Sequence, residues 1–167
     1  GHIEVESSAE SGTAFHIFLP ASRQPEARRP EAPAPAHHGR GRVLVMDDEE
    51  IVRQVLGHML RGMGYETEMA RDGAEALTLF RRAREEGRPF DVVIMDLTVP
   101  GGLGGKETIQ QLRALDPAVK AIVSSGYCQD PVMADFRSHG FCAFLAKPYK
   151  NDDLSRVLES VLVDAGP

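Results

Sequence analysis

The chain has 167 residues, enough for one ordinary domain plus additional sequence. A net charge of -6 argues against non-specific nucleic-acid binding, and 42% apolar residues suffice for a packed core. No apolar run approaches the roughly 18 residues of a membrane span, and Gly1-His2-Ile3-Glu4 lacks the basic and apolar regions of a signal peptide.

A fragment of a longer or processed chain is therefore expected, since the first residue is not Met. No nucleic-acid partner and no membrane contact by this fragment are expected. Two cysteines, Cys128 and Cys142, are too few for a disulfide scaffold and form no CxxC pair. They fit a reduced, cytoplasmic setting. Cys142 lies in an apolar run and is expected in the core.

Composition divides the chain into residues 1–20, 21–41 and 42–165. In the first segment Ile3 and Val5 alternate with Glu4 and Glu6, and Phe15, Ile17 and Leu19 alternate with His16 and Phe18. Period 2 on either side of Gly12 predicts a β-hairpin. Two strands cannot hold a stable sheet alone, so the hairpin reads as the end of something larger. Residues 21–41 hold four prolines and no apolar periodicity, and predict an extended, solvated linker. His37-His38 lacks neighbouring ligands and carries no metal-site argument.

The third segment alternates strand and helix. Val43–Met46 predicts a strand. Val52, Val55, Leu56, Met59 and Met63 form the apolar stripe of a helix stopped by Gly64. Glu66–Met69 predicts an edge-like strand, and Gly73–Arg84 a helix with Leu77 and Phe80 inward. Asp91–Met95, Val119–Val123 and Phe141–Ala146 predict strands. Lys106–Leu115, Pro131–Ser138 and Asp152–Val163 predict helices. Apolar strands between amphipathic helices imply a parallel sheet covered on both faces. Right-handed crossovers put every strand's carboxyl end on one edge, where such sheets bind ligands.

Those ends carry Asp47-Asp48-Glu49, Asp96, Ser124-Ser125-Gly126 and Lys147-Pro148. Three crowded carboxylates repel one another unless a cation is present. Oxygen-only ligands suit Mg²⁺. A lysine and a hydroxyl facing that ion suit a phosphoryl group. Each residue alone has a plainer reading: the aspartates as turn or cap residues, Ser125 as a turn residue, Lys147 as a surface lysine. The conjunction at four strand ends outweighs those readings.

Val43-Leu-Val-Met-Asp47-Asp48-Glu49, Val92-Val-Ile-Met-Asp96-Leu-Thr-Val-Pro100, Ser125-Gly126-Tyr127 and Phe144-Leu-Ala-Lys147-Pro148 resemble the receiver domain of two-component response regulators over about 125 residues. The resemblance implies a flavodoxin-like α/β fold: a doubly wound five-stranded parallel sheet, order 2-1-3-4-5, with five helices. It implies that Asp96 takes a phosphoryl group from a phosphohistidine. Asp47, Asp48, Asp96 and the Thr98 carbonyl would hold Mg²⁺. Ser125 and Lys147 would contact the phosphoryl oxygens, and Ser125 and Phe144 would move on phosphorylation. Pro148 would follow a cis peptide bond. The implied partners are the phosphohistidine domain of the parent or a cognate histidine kinase and a histidine phosphotransfer protein.

Gly101-Gly102-Leu103-Gly104-Gly105 departs from the family by one extra residue. It lacks a GxxxxGK[ST] pattern and reads as a variant receiver loop rather than a phosphate cradle. Upstream, Gly1-His-Ile-Glu-Val-Glu-Ser and Ser11-Gly12-Thr13-Ala-Phe15-His-Ile-Phe-Leu-Pro20 resemble the last hairpin of a histidine kinase ATP-binding domain. The order hairpin, linker, receiver implies the tail of a hybrid histidine kinase. The fragment carries no phosphoacceptor-histidine helix, so it is expected neither to bind ATP nor to phosphorylate itself on histidine. A haloacid-dehalogenase-like phosphatase would need a second Asp where Thr98 stands. A degenerate receiver serving only as a binding module is at odds with the intact Asp47, Asp48, Asp96, Ser125 and Lys147.

Overall fold

A computed structural model describes residues 1–10, 12–21, 39–126 and 135–163. Most of the predicted linker, His37-His38, Tyr127, Cys128 and the first half of the predicted Pro131–Ser138 helix lie outside them. The chain divides into two compact units, Gly1–Pro35 and Ala36–Pro167. Among the described residues no helix is long and apolar enough to cross a membrane.

In the first unit β1 (His2–Ser8) pairs antiparallel with β2 (Gly12–Phe18), as the alternation predicts. Ile3 faces Ile17 and Val5 faces Phe15, so one face of the ribbon is apolar and exposed. Gly12 has a φ of 78°, the left-handed conformation that glycine adopts without a Cβ penalty.

The second unit is a five-stranded parallel sheet. Its strands are β3 (Arg42–Met46), β4 (Glu66–Ala70), β5 (Val92–Asp96), β6 (Ala121–Ser125) and β7 (Ala143–Ala146), in the order β4-β3-β5-β6-β7. Numbered from the first strand of the unit, this is the expected 2-1-3-4-5. The helices are α1 (Glu50–Gly62), α2 (Gly73–Glu85), α3 (Gly105–Leu115) and α4 (Asn151–Val163).

Burial on both sides explains the apolar strands. Leu44, Met46, Val93 and Met95 enter one core layer with Phe80, Ile109 and Leu112 from α2 and α3. Val43, Val45, Val92 and Ile94 enter the other with Leu56, Leu60, Leu154 and Leu158 from α1 and α4. Each such large side chain contributes roughly 1.5–3 kcal/mol on burial.

Helix ends follow local chemistry. The Asp72 carboxylate caps α2 by accepting from the Glu75 N–H at 2.9 Å, while the Glu75 carboxylate accepts from the Arg71 N–H. After α1 the Gly64 and Tyr65 N–H groups donate back to the Arg61 and Leu60 carbonyls, with Gly64 at a φ of 94°. That glycine-dependent closure is why the apolar stripe stops there.

Three expectations need correction. Five helices were expected, and four stand among the described residues. The predicted Pro131–Ser138 helix is represented only by bend and turn from Asp135 onward. There Gly140, at a φ of 95°, and Phe141 donate to the Arg137 and Phe136 carbonyls, the same closure that ends α1. Strand β6 begins two residues later than Val119, because the Ala118 and Val119 N–H groups bond back to Asp116 in a turn. Cys142 is exposed rather than buried. It precedes β7, an edge strand with only one neighbour.

Candidate functional site

The chain leaves β3 for β4 on one side and then enters β5 on the other. The sheet's switch point therefore lies between β3 and β5. Asp47 directly follows β3, and Asp96 is the last residue of β5. Across the adjoining strand pairs, Asp96 registers with Ser124 and Ser125 with Ala146, one residue before Lys147.

Topology thus gathers the predicted strand-end residues on one edge. One carboxylate oxygen from each of Asp47, Asp48 and Asp96 lies within 4.8 Å of the other two. Asp47 is 1% exposed and Asp96 9%, whereas Asp48 is exposed. Lys147 Nζ lies 2.6 Å from Asp47 Oδ2 and 3.4 Å from Asp96 Oδ2. Buried Asp47 Oδ2 is thus the nearer partner of the ammonium. Ser125 is buried and Thr98 exposed. The Lys147–Pro148 peptide is cis. Phe144 points outward, 46% exposed, with its ring 5.7 Å from that of Phe136.

Burial pushes the Asp96 carboxyl up to about 6. The Lys147 charge opposes the rise, and the Asp47 and Asp48 carboxylates add to it. For Lys147, burial acts to lower the ammonium's value. The close Asp47 carboxylate, with Tyr149 and Asp96, outweighs burial and holds it above the ordinary lysine value. A second cation in this corner would relieve carboxylates that one lysine does not neutralise. Three carboxylates with converging oxygens, two of them on largely buried residues, are oxygen-only donors that fit a small hard divalent ion.

Two supporting interactions are absent from the sequence reading. Arg53, on the first turns of α1, donates from Nη1 to the Asp47 carbonyl at 2.6 Å and to the Asp48 carbonyl at 2.9 Å. Ser124 and Tyr149 share a hydroxyl hydrogen bond of 2.7 Å, and burial pushes the Tyr149 phenol up to about 12. An arginine in an amphipathic helix reads as solvent-facing, and the serine–tyrosine pair is non-local. Neither carries a local sequence signal.

Residues 43–159 match the family described as response regulator receiver domain. The chain is 30% identical to the sensor kinase CckA of Brucella abortus, over 97% of this chain but 18% of that kinase. The chain thus spans under a fifth of that relative's length. Among solved structures it is similar to the chemotaxis protein CheY4 of Vibrio cholerae, with a TM-score of 0.66, 29% identity, and 74% of this chain covering 100% of that one. It is also similar to the receiver domain of the Pseudomonas aeruginosa sensor histidine kinase PA1611, described with a magnesium ion coordinated in its active site cleft. There the TM-score is 0.65 and the identity 25%, with 75% of this chain covering 99% of that one. With the fold, the acidic corner and the family match in agreement, the chain belongs to the response regulator receiver domain family, the receivers of two-component signalling.

Proposed function

We propose that Asp96 accepts a phosphoryl group from a phosphohistidine of a histidine kinase and that the phosphorylated domain switches conformation. The observation that carries this reading is the Lys147 ammonium, 2.6 Å from Asp47 and 3.4 Å from Asp96, at the rim of a three-carboxylate corner. Phosphoryl transfer needs positioning and charge neutralisation more than covalent chemistry by the protein. A carboxylate oxygen of Asp96 attacks phosphorus in line. The P–N bond to the donor imidazole breaks, and its electron pair returns to the ring nitrogen, which takes up a proton. Asp96 is left as an acyl phosphate carrying about -1.5 to -2 charge.

Asp47, Asp48, Asp96 and the Thr98 carbonyl would hold Mg²⁺, which supplies neutralisation of charge on the phosphoryl oxygens. Lys147 takes one phosphoryl oxygen as an ion pair and Ser125 another as a hydroxyl donor. Phe144 stands exposed beside Phe136, and we assign it as the aromatic that changes position when Ser125 moves. The partner is the phosphohistidine domain of the parent or a cognate kinase, with a histidine phosphotransfer protein as a further acceptor. We read residues 1–20 as the closing hairpin of a kinase ATP-binding domain, 21–41 as a linker and 42–165 as the receiver. Support comes from the alignment with a sensor kinase across 97% of the chain.

Acetyl phosphate with Mg²⁺ is the direct test. The wild-type chain should form a base-labile acyl phosphate, and Asp96→Asn should form none. Equal labelling of the variant overturns the assignment.

A further inference from the structure

Ser124 is a buried serine that the phosphoacceptor chemistry leaves without a role. It lies at the carboxyl end of β6 and is 1% exposed. Strand alternation turns it to the same face as Ile122, toward the apolar layer beneath α1 and α4. A hydroxyl without a partner is costly there. Its partner is the Tyr149 hydroxyl at 2.7 Å, on a ring that packs against the same layer.

Tyr149 is two residues beyond Lys147. The Lys147 N–H itself donates to the Ser125 carbonyl at 3.0 Å. The segment 147–149 is thus fastened to two successive residues of β6, once through backbone and once through side chains. The lysine whose ammonium must stand between Asp47 and Asp96 lies inside that double fastening. Lysine is a point charge on a flexible stem, so where its head rests depends on how firmly its backbone is held.

We propose that Tyr149 and Ser124 are positioning residues: their shared hydrogen bond fixes the 147–149 backbone against β6 and so sets the Lys147 ammonium between Asp47 and Asp96. The proposal rests on the reading of Asp96 as phosphoacceptor. A plainer role, in which the pair only satisfies a buried hydroxyl, makes different predictions for the same variants.

The experiment compares wild type, Tyr149→Phe, Ser124→Ala/Tyr149→Phe, Lys147→Ala and Lys147→Ala/Tyr149→Phe in the full chain. Two quantities are read: the rate of acyl phosphate formation from acetyl phosphate with Mg²⁺, and the thermal midpoint without metal. Tyr149→Phe should slow labelling about three- to tenfold, the scale of one net hydrogen bond, and lower the midpoint by orphaning Ser124. Ser124→Ala/Tyr149→Phe should recover the midpoint, because no orphan remains, yet stay slow. In the Lys147→Ala background Tyr149→Phe should slow labelling no further.

Wild-type labelling by Tyr149→Phe overturns the proposal, as does recovery of rate together with midpoint in the double variant. Equal slowing with and without Lys147 also overturns it. All three outcomes leave the phosphoacceptor reading standing. If the wild-type chain itself does not label, the phosphoacceptor reading fails and the proposal falls with it.

Discussion

The Lys147 ammonium and the Asp47 carboxylate lie 2.6 Å apart, closer than the 3.4 Å from the same nitrogen to Asp96. The lysine therefore leans toward the buried carboxylate at the end of β3 and away from the proposed nucleophile. A phosphoryl group on Asp96 would add about -1.5 to -2 charge and three acceptor oxygens. It competes with Asp47 for the one ammonium, and that competition is a local event able to bias a two-state element.

Lys147→Ala should consequently still accept phosphate but fail to switch. Beryllofluoride with Mg²⁺ is the probe, and backbone amide chemical shifts the readout. Wild type should show shifts reaching β6, β7 and the turn around Phe136; Lys147→Ala should show them confined near Asp96. The same far-reaching shifts in both proteins would remove Lys147 from the switch.

Asp96 makes stability depend on pH. Its carboxyl is raised from 3.8 to about 6, with burial as the leading cause. The folded protein thus binds a proton more tightly than the unfolded chain does. The stabilisation this gives is fully present below about pH 4 and is lost as pH rises through about 6. Between pH 4.5 and 7.5 the metal-free protein loses about 2 kcal/mol of it, since part is already gone at pH 4.5. Urea unfolding of wild type and Asp96→Asn at pH 4.5 and 7.5 isolates the effect from other groups. Wild type should lose ground to the variant at the higher pH; an unchanged difference contradicts the raised value.

Metal should act on the same corner in the opposite sense. A ligand at about 100 times its dissociation constant stabilises the folded state by about 2.7 kcal/mol. Mg²⁺ should give this increment at pH 7.5 and much less at pH 5, where Asp96 holds its proton. Asp48 is exposed, so Asp48→Asn should change metal-free stability little while weakening the Mg²⁺ increment. Full Mg²⁺ stabilisation of that variant would exclude Asp48 as a ligand.

The strand ends were readable because each is an unbroken apolar run closed by a residue that cannot stay in the core. Val43–Met46 before Asp47 and Val92–Met95 before Asp96 place their carboxylates within about one residue of the observed ends. Side-chain direction was less legible. The apolar run around Cys142 predicts that this residue is buried. On an edge strand, however, Leu145 turns inward while Phe144 and Cys142 are exposed. The Arg53 contacts to the Asp47 and Asp48 carbonyls were invisible for another reason. Backbone acceptors leave no residue-type signature in the sequence.

The glycine-rich loop supplies the last prediction. In the variant receiver loop one glycine has a clear steric reason. Gly105 opens α3, and a Cβ there would sit 2.6 Å from the Asp96 carbonyl oxygen and 3.3 Å from Leu97 Cα. The first turn of α3 is thus seated on the backbone that carries the proposed nucleophile. Those neighbours are backbone atoms and cannot rotate aside, so Gly105→Ala should cost about 2 kcal/mol by overpacking. It should also slow phosphorylation of Asp96, because relief requires moving β5's end or α3's start. Gly62 is the contrast: it closes α1, and a Cβ there meets nothing within 4 Å. Gly62→Ala should stabilise by about 0.5 kcal/mol, through a smaller unfolded-state entropy, and leave labelling unchanged. Chemical unfolding and acetyl phosphate labelling of both variants decide the matter. Equal stability of Gly105→Ala and wild type would show that α3 does not rest on the Asp96 backbone.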